Sequence, residues 1–127
     1  MKDMVSKIHI PQYPNLLLTK ETVNGLGNKS LSAEVKKEIL ESFNLLSSYG
    51  TNDDFIGKRV KKTHRKDIWE MKFKDRSKTE WRIFFKKISR NERPAKYGLL
   101  NMIRKTTQKL NKRDLDAAER IAKREGW

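Results

Sequence analysis

Residues 67–88, DIWEMKFKDRSKTEWRIFFKKI, decide the fold. Trp69, Met71 and Phe73 alternate with Glu70, Lys72 and Lys74. After the polar turn DRSKT, Trp81, Ile83 and Phe85 alternate with Arg82, Phe84 and Lys86. A period of two is that of a strand whose successive side chains point to opposite faces of a sheet. The stretch therefore reads as a hairpin with one apolar face and one mainly cationic face.

Working outward, residues 32–49 (SAEVKKEILESFNLLSSY) carry Val35, Ile39, Phe43 and Leu46 at helical spacing, with Leu40 beside them. Ser32 is placed to cap this helix, Glu34 suits its positive end, and Gly50 is placed to end it. TNDDFIGKRV reads as a loop into a short strand, and YGLLNMI (97–103) as a strand deep in the sheet. The last helix runs from about Lys112 to Glu125, with Leu115, Ala118, Ile121 and Ala122 as a narrow apolar stripe and Asn111 as its cap. Near the start, KIHI reads as a strand closed by PQYP, and TKETVNGLGN as a poor helix weakened by Gly25 and Gly27. The order predicts one α+β domain over residues 1–127. Its small antiparallel sheet has helices against one face and a basic, open second face.

Composition narrows the function. The 127 residues have 35% apolar and 36% charged residues, so one modest core must suffice beneath a heavily ionised surface. The absence of an 18-residue apolar run excludes a membrane-spanning helix, and the N-terminus lacks the pattern of a signal peptide, which places the chain in the cytoplasm. With no cysteine, disulfides, thiolate zinc sites and thiol nucleophiles are excluded together. The net charge of +14 is uneven: residues 1–50 hold 6 Lys/Arg against 5 Asp/Glu, residues 51–127 hold 24 against 11. Such asymmetry is the footprint of a polyanionic partner. Its densest part is the run from Lys58 to Lys66, where Lys58, Arg59, Lys61, Lys62 and Arg65 accompany His64 with no acid among them.

No metal or other cofactor is expected. His9 and His64 lie far apart, no paired-carboxylate spacing appears, and GLG at 25–27 lacks the lysine and serine of a phosphate loop. Metal-free cleavage of RNA suits the residues better. Attack of a ribose 2′-OH on its own phosphate needs a base, an acid and cations to stabilise the phosphorane, and clustered Lys and Arg provide all three. Neighbouring positive charge lowers the pKa of a lysine and makes a neutral amine less rare. Arg82, fixed on a strand with a planar fork of donors, suits the scissile phosphate. Phe84, in register with Arg82, is placed either to stack a splayed base or to form a second apolar layer. Trp69 and Trp81 read as core residues.

Three blocks, IWEMKF, EWRIFF and GLLNMIRKTTQKLNKRDLDAAERIAKR, resemble those of the RelE/HigB toxin superfamily, in its phage-derived killer-like branch. There an -LWELR- strand is followed by -YRIFY- and by an -LLHGFIKKTQKTP- strand-to-helix segment ending in -EIxxAxxR-. The order and spacing of all three agree over about residues 55–124. The resemblance implies a ribosome-dependent mRNA endonuclease paired with an antitoxin. It carries catalytic roles to Lys72, Arg82, Lys105 and Gln108. Contacts to RNA are expected at Lys58, Arg59, Lys61, Lys62, His64, Arg65, Lys74, Phe84 and Arg104. This chain departs from the pattern at Asn101, Thr106 and Asn111, where the family has histidine, lysine and proline. The general base thus stays open, with His64 as a candidate.

Two other functions fit the charge. One is a basic toxin that blocks a partner such as DNA gyrase, as the ParE branch of the superfamily does. The other is a phage nucleic-acid-binding accessory protein. Partners expected under the first reading are a cognate antitoxin, the ribosome and mRNA, with no membrane.

Overall fold

The computed structural model describes residues 7–10, 12–51, 60–76, 79–89, 95–105 and 112–127. Its elements are β1 (Lys7–Ile10), β2 (Tyr13–Thr19), α1 (Lys20–Leu26), α2 (Ala33–Tyr49), β3 (Val60–Lys62), β4 (Trp69–Lys74), β5 (Glu80–Lys87), β6 (Tyr97–Lys105) and α3 (Lys112–Glu125). The strands form one sheet in the order β1-β2-β6-β5-β4-β3. The architecture is α+β, with helices packed on the sheet.

The hairpin of the opening stretch forms as its alternation dictates, with Lys72 opposite Arg82 and Phe73 opposite Trp81. β6 completes the centre of the sheet alongside β5, with a one-residue bulge at Leu100 between the Phe84–Asn101 and Phe85–Leu99 pairs. One pairing differs from the antiparallel expectation: β2 runs parallel to β6, through Leu16–Tyr97 and Leu18–Leu99. The apolar run Leu16–Leu18 makes this strand, and its burial between β1 and β6 outweighs the turn signals around it. β2 stops at Thr19, which caps α1 by accepting from the Thr22 N–H at 3.2 Å. The hydroxyls of Thr19 and Thr22 then donate to the Leu100 and Leu99 carbonyls, so α1 continues the sheet edge by side-chain hydrogen bonds.

Two apolar layers enclose the sheet. On one face, Val35, Ile39, Phe43 and Leu46 of α2 pack on Met71, Phe73, Trp81, Ile83, Phe85 and Leu99. Ser32 and Gly50 cap α2, Gly50 at a φ of 66°. On the other face, Leu115, Ala118, Ile121 and Ala122 of α3 pack on Ile68, Phe84 and Leu100. The helices therefore lie on both faces, and the second face is not the open surface that the charge pattern predicts. Burying a side chain such as Phe84 or Leu115 stabilises by about 1.5–3 kcal/mol, and this gain draws α3 onto a strand face that also carries charge. No helix among the described residues is long and apolar enough to cross a membrane.

Candidate active site

Residues directly opposite one another in adjacent strands share a sheet face. The register therefore gathers Glu70, Lys72, Glu80, Arg82 and Lys105 on the face that also carries Phe84. Arg82 is only 1% exposed. Its Nη2 donates to Glu80 Oε2 at 3.0 Å, and its Nη1 lies 3.7 Å from Glu70 Oε2. Lys72 Nζ stands 3.9 Å from Glu70 Oε1, and Lys105 Nζ is 3.2 Å from Asp114 Oδ2 on α3. Three of the four catalytic candidates thus share one face, each beside a carboxylate. The face is a mixed-sign network where a cationic surface is expected from the sequence. An arginine taken out of water without a counter-charge costs several kcal/mol, so a buried Arg82 requires its acids.

Lys72 differs from Arg82 in access. Its side chain is about one-third exposed, so it presents an ammonium at the rim of the network while Glu70 and Arg82 lie beneath.

The basic run separates into two kinds of residue. Lys61 and Lys62 are exposed on the edge strand β3, and His64 is exposed in the bend that follows. Arg65 instead turns to α3, with Nη2 at 2.8 Å from Asp116 Oδ1 and Nη1 at 3.0 Å from Glu119 Oε1. Its hydrogen bonds to Asp116, and next to Glu119, raise its pKa further and fix the charge. Lys74 is exposed at the end of β4. Arg104 lies opposite Trp81 and so on the α2 face, away from Arg82, with its guanidinium 5.7 Å over the Trp81 ring. Phe84 is fully buried beneath α3 and takes the second-layer place, with no ring face open to a base. Trp81 is core, and Trp69, half-buried, stacks on Phe85 at 6.4 Å. Lys58, Arg59 and Gln108, together with Thr106 and Asn111, lie outside the described residues.

The acids are what the sequence reading missed. Glu70 stands two residues before Lys72, and Glu80 two before Arg82, so the same period of two that groups the cations also groups these carboxylates. Asp114, Asp116 and Glu119 belong to a helix whose apolar stripe is legible but whose place on the sheet no local signal specifies.

Arg124 of α3 and Glu21 of α1 form a bidentate pair at 2.6 and 2.9 Å. The Arg124 hydrogen bond holds the Glu21 carboxyl below its ordinary pKa. Together with Arg65 and Lys105, this pair ties α3 along its length to the loop before β4, to β6 and to α1.

No curated protein and no solved structure matches the chain significantly. A family model does, over residues 29–123, with the description "Phage derived protein Gp49-like (DUF891)". That span holds α2, the hairpin, β6 and nearly all of α3, and so the whole charge network. The chain belongs to the Gp49-like family of phage-derived proteins, a RelE/HigB-like toxin family.

Proposed function

We propose that this protein is the toxin of a type II toxin–antitoxin pair, a metal-independent endoribonuclease that cuts mRNA on the ribosome and so arrests translation in the cytoplasm. Family membership supports the toxin class. The observation that carries the cleavage reading is Lys72, an accessible ammonium directly across from Arg82 and 3.9 Å from the Glu70 carboxylate.

In this reading Lys72 meets the scissile phosphate and stabilises the charge of the phosphorane as the 2′-oxygen, giving up its proton, attacks phosphorus. The P–O5′ bond then breaks and the 5′-oxygen takes up a proton, leaving a 2′,3′-cyclic phosphate and a 5′-hydroxyl. Glu70 holds Lys72 in place, and Arg82, on the far oxygen of the same carboxylate, positions Glu70 and adds positive potential. Lys105 supplies a second cation on the same face once the phosphate competes with Asp114 for its ammonium. Lys61, Lys62, His64 and Lys74 contact RNA phosphates around the site. A cognate antitoxin masks the toxin by docking on α2, where Leu40 is 54% exposed in a nearly charge-balanced helix.

Inducing the protein in bacteria and mapping transcript 5′ ends tests this. Discrete in-frame cuts that vanish with Lys72→Ala, at equal soluble expression, are expected. Arrest without new 5′ ends would overturn cleavage. One observation favours a second reading, a toxin that binds and blocks its target without cutting. Arg82 and Lys105, two of the proposed catalytic cations, are already paired with carboxylates of the same chain. Under that reading, induction gives arrest with intact transcripts, and a DNA-damage response if gyrase is the target. An accessory protein that only binds nucleic acid gives no arrest.

A further inference from the structure

A groove of about 1050 Å³ runs between α1 and α3 above the bulged part of β6. Asn101 and Met102 line it from the sheet, Asn24 from α1, and Arg120, Ile121 and Lys123 from α3. Asn101 is 93% buried by its 7% exposure, and its Oδ1 has no hydrogen-bond partner. A buried amide oxygen left unbonded costs about 1–3 kcal/mol. Turning the amide plane exchanges oxygen and nitrogen, so the groove can be offered either an acceptor or a donor. Arg120 and Lys123 are exposed on α3, three residues apart and hence neighbours on its surface. Neither has an ion-pair partner among the described residues, in contrast to Arg65, Arg82, Lys105 and Arg124. The acid of the groove, Glu21, is held by Arg124.

We infer that this groove binds one nucleotide of single-stranded RNA, with the base against Met102 and Ile121, its edge on the Asn101 amide, and its phosphate on Arg120 and Lys123. Three unmet requirements select this ligand. The unpaired cations call for an anion, the amide for a polar edge bearing an N–H, and the apolar wall for a flat apolar face. A nucleotide carries all three in one unit, whereas a peptide must recruit them from several residues. Asn101 shares the sheet face of Arg82, being opposite Phe84, two pairs along from the Arg82–Ile103 pair. Met102, opposite Ile83, reaches the groove from the α2 side of β6. α3 lies over the Phe84 and Leu100 side chains beside Asn101. The inference rests on the RNA reading of the previous subsection and adds a second point of contact, separate from the proposed chemistry.

Anisotropy of a labelled single-stranded hexaribonucleotide of mixed sequence, titrated with the full chain at low salt, tests it. Asn101→Leu, which keeps the volume and removes the amide, is expected to weaken binding at least tenfold. Arg120→Ser with Lys123→Ser, both at exposed positions that leave the core untouched, is expected to do the same and to lower the salt dependence. Lys36→Ser with Lys37→Ser, an equal loss of charge on α2, is expected to change affinity less than twofold. Binding equal to wild type in the exposed double variant overturns the inference even if Asn101→Leu fails to fold. So does loss of antitoxin binding, but not of RNA binding, in that variant, which would make the groove a protein site. A wild-type chain that binds the hexamer here yet cuts no transcript removes the cleavage proposal and leaves this one standing.

Discussion

Arg82 donates to Glu80 at 3.0 Å from a position 1% exposed, while Glu70, itself 3% exposed, lies on the other side of the same guanidinium. A group so enclosed is a structural element whatever else it does. Arg82→Ala would leave Glu70 buried without its arginine, a change worth roughly 3–5 kcal/mol. Denaturant unfolding should show this loss, and Arg82→Met combined with Glu70→Met should recover most of it. A stable Arg82→Ala protein would mean that the pair is not buried in solution. Lys72→Ala is thus the cleaner probe of activity, because it removes a partly exposed cation at little cost in stability.

Gly98 tests the docking of α3. A Cβ at this position would meet the Trp127 ring at 2.3 Å, too close for any side chain to be accepted unmoved. Gly98→Ala should therefore push Trp127 off the sheet and destabilise the protein by about 1–3 kcal/mol. Trp127→Ala in the same background should relieve part of the cost. Tryptophan fluorescence that is unchanged by Gly98→Ala would count against this contact.

The Glu21–Arg124 pair gives a pH dependence of known sign. Its hydrogen bond to Arg124 holds the folded-state carboxyl of Glu21 below the ordinary value of 4.5. The pair's contribution is therefore complete above about pH 4.5 and lost as pH falls through the lowered folded-state pKa. Both partners are about one-third exposed, so solvent screening keeps the contribution to about 0.5–1 kcal/mol. Comparing wild type with Glu21→Gln by thermal unfolding should show this difference at pH 7 and its disappearance in acid. A difference that persists at pH 2 would point to packing in place of charge.

Exposed lysines of the basic edge strand and of α2 should separate in salt titrations of RNA binding. Each phosphate neutralised on a single strand contributes about 0.7 to the slope of log affinity against log salt. Lys61→Ala with Lys62→Ala should lower the slope by up to twice that amount, and Lys36→Ala with Lys37→Ala should barely change it. Arg65 does not belong in the comparison, because its substitution also frees α3 from Asp116 and Glu119. Equal effects from the two lysine pairs would show that RNA responds to net charge alone.

The sequence by itself determined the hairpin, the helix at 32–49 with its caps, the central strand, the last helix and the basic second half. Each rests on a local signal: a period of two, a period of 3.6, a capping residue or a run of like charge. It also put Lys72 and Arg82 on one face of the hairpin, since strand alternation survives folding there unchanged. Lys105, beyond the strand read at 97–103, came only from the family resemblance. Tertiary structure alone decided three things. β2 pairs parallel with β6, because two runs distant in sequence are both apolar enough to be buried together. α3 covers the face that carries Arg82, because Phe84 and Leu100 need a partner that no neighbouring residue supplies. The cations of that face are matched by Glu70, Glu80 and Asp114, because charge brought under a helix must be neutralised, and the sequence spacing of Lys105 and Asp114 says nothing of their meeting at 3.2 Å.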